Sequence, residues 1–196
     1  MIPRSKPLRA VILLAVLGGA GSLIWALSNV RQGYEPRQPI YFRHSRMAGA
    51  PKWTVNAQGD SVNVGGSNIP CLYCHTMPYK GRHATVPSTA VCMNCHQTVG
   101  QNFEWVIKLK DYWARGEPIP WVKVHDLPDF VYFDHSTHMN AVTQEGKAKV
   151  ACEDCHGKVQ DMDVVKVQNA FNMGWCLTCH RKPEMGASTD CVVCHR

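Results

Sequence analysis

Ten cysteines and ten histidines carry most of the chemistry open to this chain of 196 residues. Every cysteine belongs to one of five Cys-x-x-Cys-His runs: Cys71–His75, Cys92–His96, Cys152–His156, Cys176–His180 and Cys191–His195. None is left over to staple distant loops, which excludes a disulfide scaffold. A single Cys-x-x-Cys also serves thiol redox or zinc chemistry. Five copies, each followed directly by histidine, read as c-type haem attachment. Cys71 and Cys74, Cys92 and Cys95, Cys152 and Cys155, Cys176 and Cys179, and Cys191 and Cys194 would each form two thioethers to one haem. The expected proximal iron ligands are His75, His96, His156, His180 and His195, and the expected cofactor is five haem c groups.

The other five histidines are His44, His83, His125, His135 and His138, so the spare histidines match the irons in number. His135 and His138, in FDHSTHM, lie three apart and can point from one turn toward two rings. YFRHSRMAG has the same form, with Met47 in the place of the second histidine after His44. A thioether ligand generally raises a haem potential relative to a second histidine. With His83 in KGRHAT and His125 in VKVHDLPDF, the distal candidates are six for five irons. One is then surplus, or one iron is bound differently. Met77, two residues after His75, is a weaker seventh.

These residues need elements to hold them. Ala10 to Leu27 reads AVILLAVLGGAGSLIWAL, uncharged and long enough for a membrane span. Arg4, Lys6 and Arg9 precede it, so the positive-inside rule keeps the N-terminus cytoplasmic and sends the rest across. Trp25 falls near the far interface, and Gly18, Gly19 and Gly21 leave a smooth helix face. A cleaved signal peptide has the same order of regions, but no Ala-x-Ala site follows Leu27. The expected division is residues 1–30 as cytoplasmic tip and anchor, and 31–196 as a periplasmic five-haem domain. Residues 31 to 70 carry no motif, and GDSVNVGGSNIP is loop or short-strand material. Between His96 and Cys152, NFEWVIKLKDYWAR predicts a helix over Asn102 to Arg115, stopped by Gly116 and Pro118. A second helix is expected over Met162 to Trp175. Alternation suited to strands is confined largely to Trp121–Val124 and Phe130–Phe133. The expected fold is sparse short helices and long loops around five haems, whose rings supply much of the buried apolar surface.

The formal charge of +6 does not by itself indicate an anionic partner, because haem propionates would reverse the sign. No basic stretch interleaved with aromatics is present, so nucleic-acid binding is not expected.

FDHSTHM followed by Cys152–His156 resembles the His-x-x-His arrangement of small soluble multihaem cytochromes c. More of the chain resembles the pentahaem membrane-anchored subunit of alternative complex III. The likeness rests on YFRHSRMAG, CLYCHTMPYKGRHATVP, VCMNCH, VKVHDLPDFVYFDHSTHM and MGWCLTCHR, across most of residues 40 to 196. The family often has a second histidine where this chain has Met47. The resemblance implies a complex that oxidises quinol and passes electrons to a soluble carrier. Implied partners are an iron–sulfur subunit, polytopic quinol-binding membrane subunits and a monohaem cytochrome c subunit. On this reading the chain relays electrons and has no catalytic residue of its own. One alternative is a free-standing membrane-anchored quinol dehydrogenase feeding a periplasmic reductase. Another is a multihaem nitrite or hydroxylamine enzyme, which would need an open iron.

Overall fold

A computed structural model describes residues 6–28 and 31–196. Arg4, and the side chains of Lys6 and Trp25, lie outside the described residues. The first element is α1, Lys6–Ser28, whose window Pro7–Ile24 is long and apolar enough to cross a membrane and is unburied throughout. The bulk of the chain follows it on one side. Short pieces then alternate with long loops: α2 (His44–Met47), β1 (Trp53–Val55), β2 (Ser61–Asn63), α3 (Cys71–Cys74), α4 (Thr89–His96), α5 (Glu104–Ala114), α6 (His135–Met139), α7 (Cys152–His156), α8 (Met173–His180) and α9 (Cys191–Cys194). Each Cys-x-x-Cys pair falls on a helical turn, where the two thiols share one face.

The chain's own core is small. Ile40, Met93, Leu109 and Ile119 form one buried cluster, edged by Cys92, Trp105, Tyr112 and Trp121. It joins the second motif to α5. Among the described residues no side chain is fully buried. The accessible surface is 14141 Å², against about 9,300 Å² for a compact monomer of this mass. The unpacked α1 accounts for part of that excess.

The expected helix over Asn102 to Arg115 is α5, from Glu104 to Ala114. Gly116 ends it at φ +65°, a conformation that disfavours other residues. The expected helix from Met162 does not form. Val167 instead exchanges backbone hydrogen bonds with Gly33 and Tyr34, which holds the segment extended. The helix starts only at Met173, where the Asn172 side chain accepts the Trp175 N–H at 2.8 Å. Neither Trp121–Val124 nor Phe130–Phe133 is a strand. Val122 spends its N–H and C=O on the Gln38 side chain, and Tyr132 donates to the Cys194 carbonyl. The strands of the described residues are β1 and β2, an antiparallel hairpin in the expected loop region.

That hairpin returns over α2. Ser67, Asn68 and Ile69 donate to the carbonyls of Arg46, Gly49 and Met47. Arg46 in turn donates to the Val64 and Gly65 carbonyls. Gly66 is required there, since a Cβ would overlap the Gly49 backbone. On its other side α2 is tied to residues 162–163, through Ser45 N–H to Met162 and the Ser45 hydroxyl to Asp163. His44 and Met47 therefore sit on a turn braced from both sides.

Candidate haem-binding site

All ten cysteines are unpaired thiols, and among the described residues none forms a disulfide. Their mutual influence orders the motifs in space. Cys92 of the second motif is held high by burial first and then by Cys74 of the first. Cys152 of the third is likewise raised, by burial and then by Cys71, with which it shares a side-chain hydrogen bond. Burial pushes Cys155 up to about 11, helped by Asp154 and by Cys179 and Cys176 of the fourth motif. Burial also raises Cys176, and Cys194 of the fifth motif adds to it. The neighbour relation runs second, first, third, fourth, fifth. The Asn94 amide bonded to the Tyr73 hydroxyl at 3.1 Å joins the first two independently.

Six histidines bond their Nδ1 to main-chain carbonyls. His75 reaches Thr85 at 2.6 Å, His96 reaches Val99 at 3.0 Å, and His180 reaches Ser188 at 2.8 Å. His195 reaches Phe130 at 3.2 Å, His135 reaches Arg82 at 2.8 Å, and His138 reaches Asp134 at 2.8 Å. A carbonyl can only accept, so each Nδ1 carries the proton and each Nε2 keeps its lone pair for a metal. Thr85 takes φ +65° to present its carbonyl to His75. For a β-branched residue that backbone is strained, as at many binding sites.

Within α6, Asp134 caps the turn by accepting the Ser136 N–H at 2.8 Å and the Ser136 hydroxyl at 2.7 Å. Phe133 packs on both histidines, edge-on to His135 and stacked on His138. The turn brings its histidines to two different motifs. The His135 and His156 ring centroids are 6.2 Å apart with planes 2° from parallel. Those of His138 and His180 are 6.0 Å apart with planes at 47°. Two metal–imidazole bonds of about 2.0–2.1 Å, with the radius of each ring, span about 6 Å.

His156 lies in a tight cage. His125 meets it edge-on at 4.4 Å and Phe171 lies at 6.2 Å. Burial first, and then His125, His135 and His75, together lower the His156 pKa to about 4. His44 is likewise held to about 4 by burial, with a smaller push from His75. Both imidazoles are thus neutral near pH 7, the form that can ligate a metal. His44 Nδ1 and His125 Nε2 are buried without a hydrogen-bond partner. Such orphaned nitrogens cost free energy unless something coordinates them. Met47 is half-buried on the braced turn, while His83 is exposed and has no ring contact. Met77 is exposed as well. Among the described residues no three His, Cys, Asp or Glu side chains converge on one point. The donors come instead as pairs, which is what a porphyrin-held iron takes. Free thiol pairs, neutral imidazoles and orphaned nitrogens fit haem c.

Sequence reasoning did not single out Arg82, Thr85, Phe133 or Phe171. Nor did it use Asp134, although an aspartate immediately before His135 is a local cap signal. The others act across loops, or through backbone angles that leave no local sign.

No family model matches the chain. It is similar to the multihaem cytochrome c subunit of menaquinone reductase from Nitratidesulfovibrio vulgaris (strain Hildenborough). The two are 26% identical over 180 residues, spanning 83% of this chain and 78% of that one. The repeated motifs, the membrane-length apolar helix among the described residues and this similarity together support a membrane-anchored multihaem cytochrome with a general electron-transfer role.

Proposed function

We propose that this chain is the five-haem relay subunit of a membrane quinone oxidoreductase of the alternative complex III kind. Residues 31–196 form its domain on the periplasmic side, and α1 anchors it. The observation that carries the reading is the α6 turn, which sets two histidines at metal-bridging distance from the proximal histidines of two motifs. Haem c supplies a one-electron iron centre when attached. The ten cysteines of the five motifs fix it covalently. His75, His96, His156, His180 and His195 hold the proximal side. His135 completes the third site and His138 the fourth. The remaining three distal positions are shared out among His44, Met47, His83 and His125, one of which is surplus. The Nδ1–carbonyl bonds hold each ring at one angle, so little reorganisation accompanies a change of charge.

Quinone chemistry takes place on polytopic partner subunits, beside an iron–sulfur subunit and a monohaem cytochrome c subunit. Electrons leave to a soluble periplasmic acceptor. A second reading has its own support: the similar Nitratidesulfovibrio subunit belongs to a menaquinone reductase, so flow toward quinone is the alternative direction.

Stopped-flow spectroscopy of the haem α-bands tests the proposal on the intact complex and on the isolated chain, each mixed with a quinol analogue. The complex is expected to reduce its haems within one turnover, and the isolated chain to stay oxidised. Rapid reduction of the isolated chain would overturn the relay reading in favour of a free-standing quinol dehydrogenase. Reduction only by a periplasmic donor would reverse the direction.

A further inference from the structure

The point where the chain leaves its anchor is stitched to one haem site in particular. Arg31 lies three residues beyond Ser28, the end of α1, so it stays within about 10 Å of that end. Its guanidinium pairs with Asp126 at 3.5 Å. Asp126 is the neighbour of His125, whose ring meets His156 at 4.4 Å. Gly33 donates to the Val167 carbonyl at 2.7 Å, and Val167 donates to Tyr34 at 3.0 Å. The Gln32 side chain donates to the Gln168 carbonyl at 3.0 Å. Gln168 packs on Gly157, one residue past His156, so closely that a Cβ there would overlap it. Four contacts thus bind the first residues after the anchor to segments 125–126 and 167–168, which pack on His156 and Gly157. The second motif meets this stretch of the described chain at Ile40, a dozen residues past Ser28. That tether can stretch to about 40 Å.

We infer that the third motif, Cys152–His156, is the membrane-proximal haem site and the point at which this subunit exchanges electrons with the membrane-embedded part of its complex. The inference rests on the relay reading and adds the port to it. The hollow beside this site carries five charged side chains, Glu35, Lys158, Asp161, Asp163 and Lys166, beside the apolar Met162 and Val164. Those five charged side chains suit contact with a polar protein surface. On this inference electrons cross here from a partner's redox centre. The third motif also stands mid-row, between the first and the fourth. Electrons arriving there can move toward either end.

The test places the whole chain in nanodiscs that carry a gadolinium-chelate lipid, and measures the electron-spin relaxation of each oxidised haem. Relaxation enhancement falls steeply with distance from the bilayer surface. The third-site signal is identified as the one altered in His135→Ala. It is expected to show the largest enhancement of the five, several-fold above the signal altered in His138→Ala. A larger enhancement for any other haem, with five haems present by intact mass, overturns the membrane-proximal assignment and leaves the relay reading standing. Fewer than five haems, or no signal altered in His135→Ala, overturns both.

Discussion

His135 is held by its neighbours more firmly than spacing alone requires. The Arg82 carbonyl accepts both its backbone N–H and its Nδ1–H. The Arg82 guanidinium donates to the Phe133 carbonyl at 3.1 Å and lies over the Tyr132 ring. Arg82→Gln removes the stacking and weakens the link to Phe133, freeing the His135 ring to rotate. The angle between two axial imidazole planes sets the splitting of the iron d orbitals. Electron paramagnetic resonance of Arg82→Gln should therefore show one low-spin signal shifted, with the others unchanged and Arg82→Lys partly restoring it. An unaltered spectrum would show that the backbone carbonyl alone orients the ring. Met47 offers a separate test. If its sulfur ligates iron, Met47→His replaces a soft donor with nitrogen and lowers one potential. The shift should be on the order of 0.1 V, within the range that axial ligation spans. A redox titration with no displaced component would make Met47 a packing residue.

At the scale of elements, α6 presents one near-parallel and one strongly tilted histidine pair. Two spectroscopically different haems should therefore be lost separately in His135→Ala and His138→Ala. Loss of the same signal in both variants would contradict the pairing. At α8, Asn172→Ala removes the cap that begins the helix and should cost about 1 kcal/mol in a denaturant titration. Asn172→Asp, which keeps an acceptor, should cost little. These elements show where sequence reading stops. The five motifs, the His135–His138 turn and α5 could be read because ligand spacing and helical period are local. The start of α8 could not, because Val167 finds its partner at Gly33 and Tyr34, far back in the chain. The pairing of distal with proximal histidines was hidden for the same reason. His135 is oriented by a carbonyl 53 residues away and His195 by one 65 residues away. The alternation over Phe130–Phe133 misled because Phe130 and Tyr132 serve as contacts for the fifth motif, and Phe133 for α6, and not as a strand.

For the whole molecule, a small aliphatic core and an absence of fully buried side chains among the described residues agree with a body organised around its cofactors. Haem attachment and folding should then be inseparable. Cys152→Ser with Cys155→Ser should do more than remove one haem. The third motif adjoins the first and the fourth, so its loss should sharply reduce the protease resistance of residues 31–196. Survival of a protease-resistant four-haem body would contradict this. Protease added to oriented vesicles should digest that body only from the side opposite the cytoplasm, if the proposed periplasmic placement is correct. The most direct measurement of the central claim is an experimental density map of the purified complex that resolves every iron and its two axial atoms. The account predicts five irons in this chain, spaced as an unbroken row in the order second, first, third, fourth and fifth motif. His135 and His156 should share the third iron, and His138 and His180 the fourth. Fewer than five irons, a break in the row, or His135 and His156 bound to different irons would contradict it.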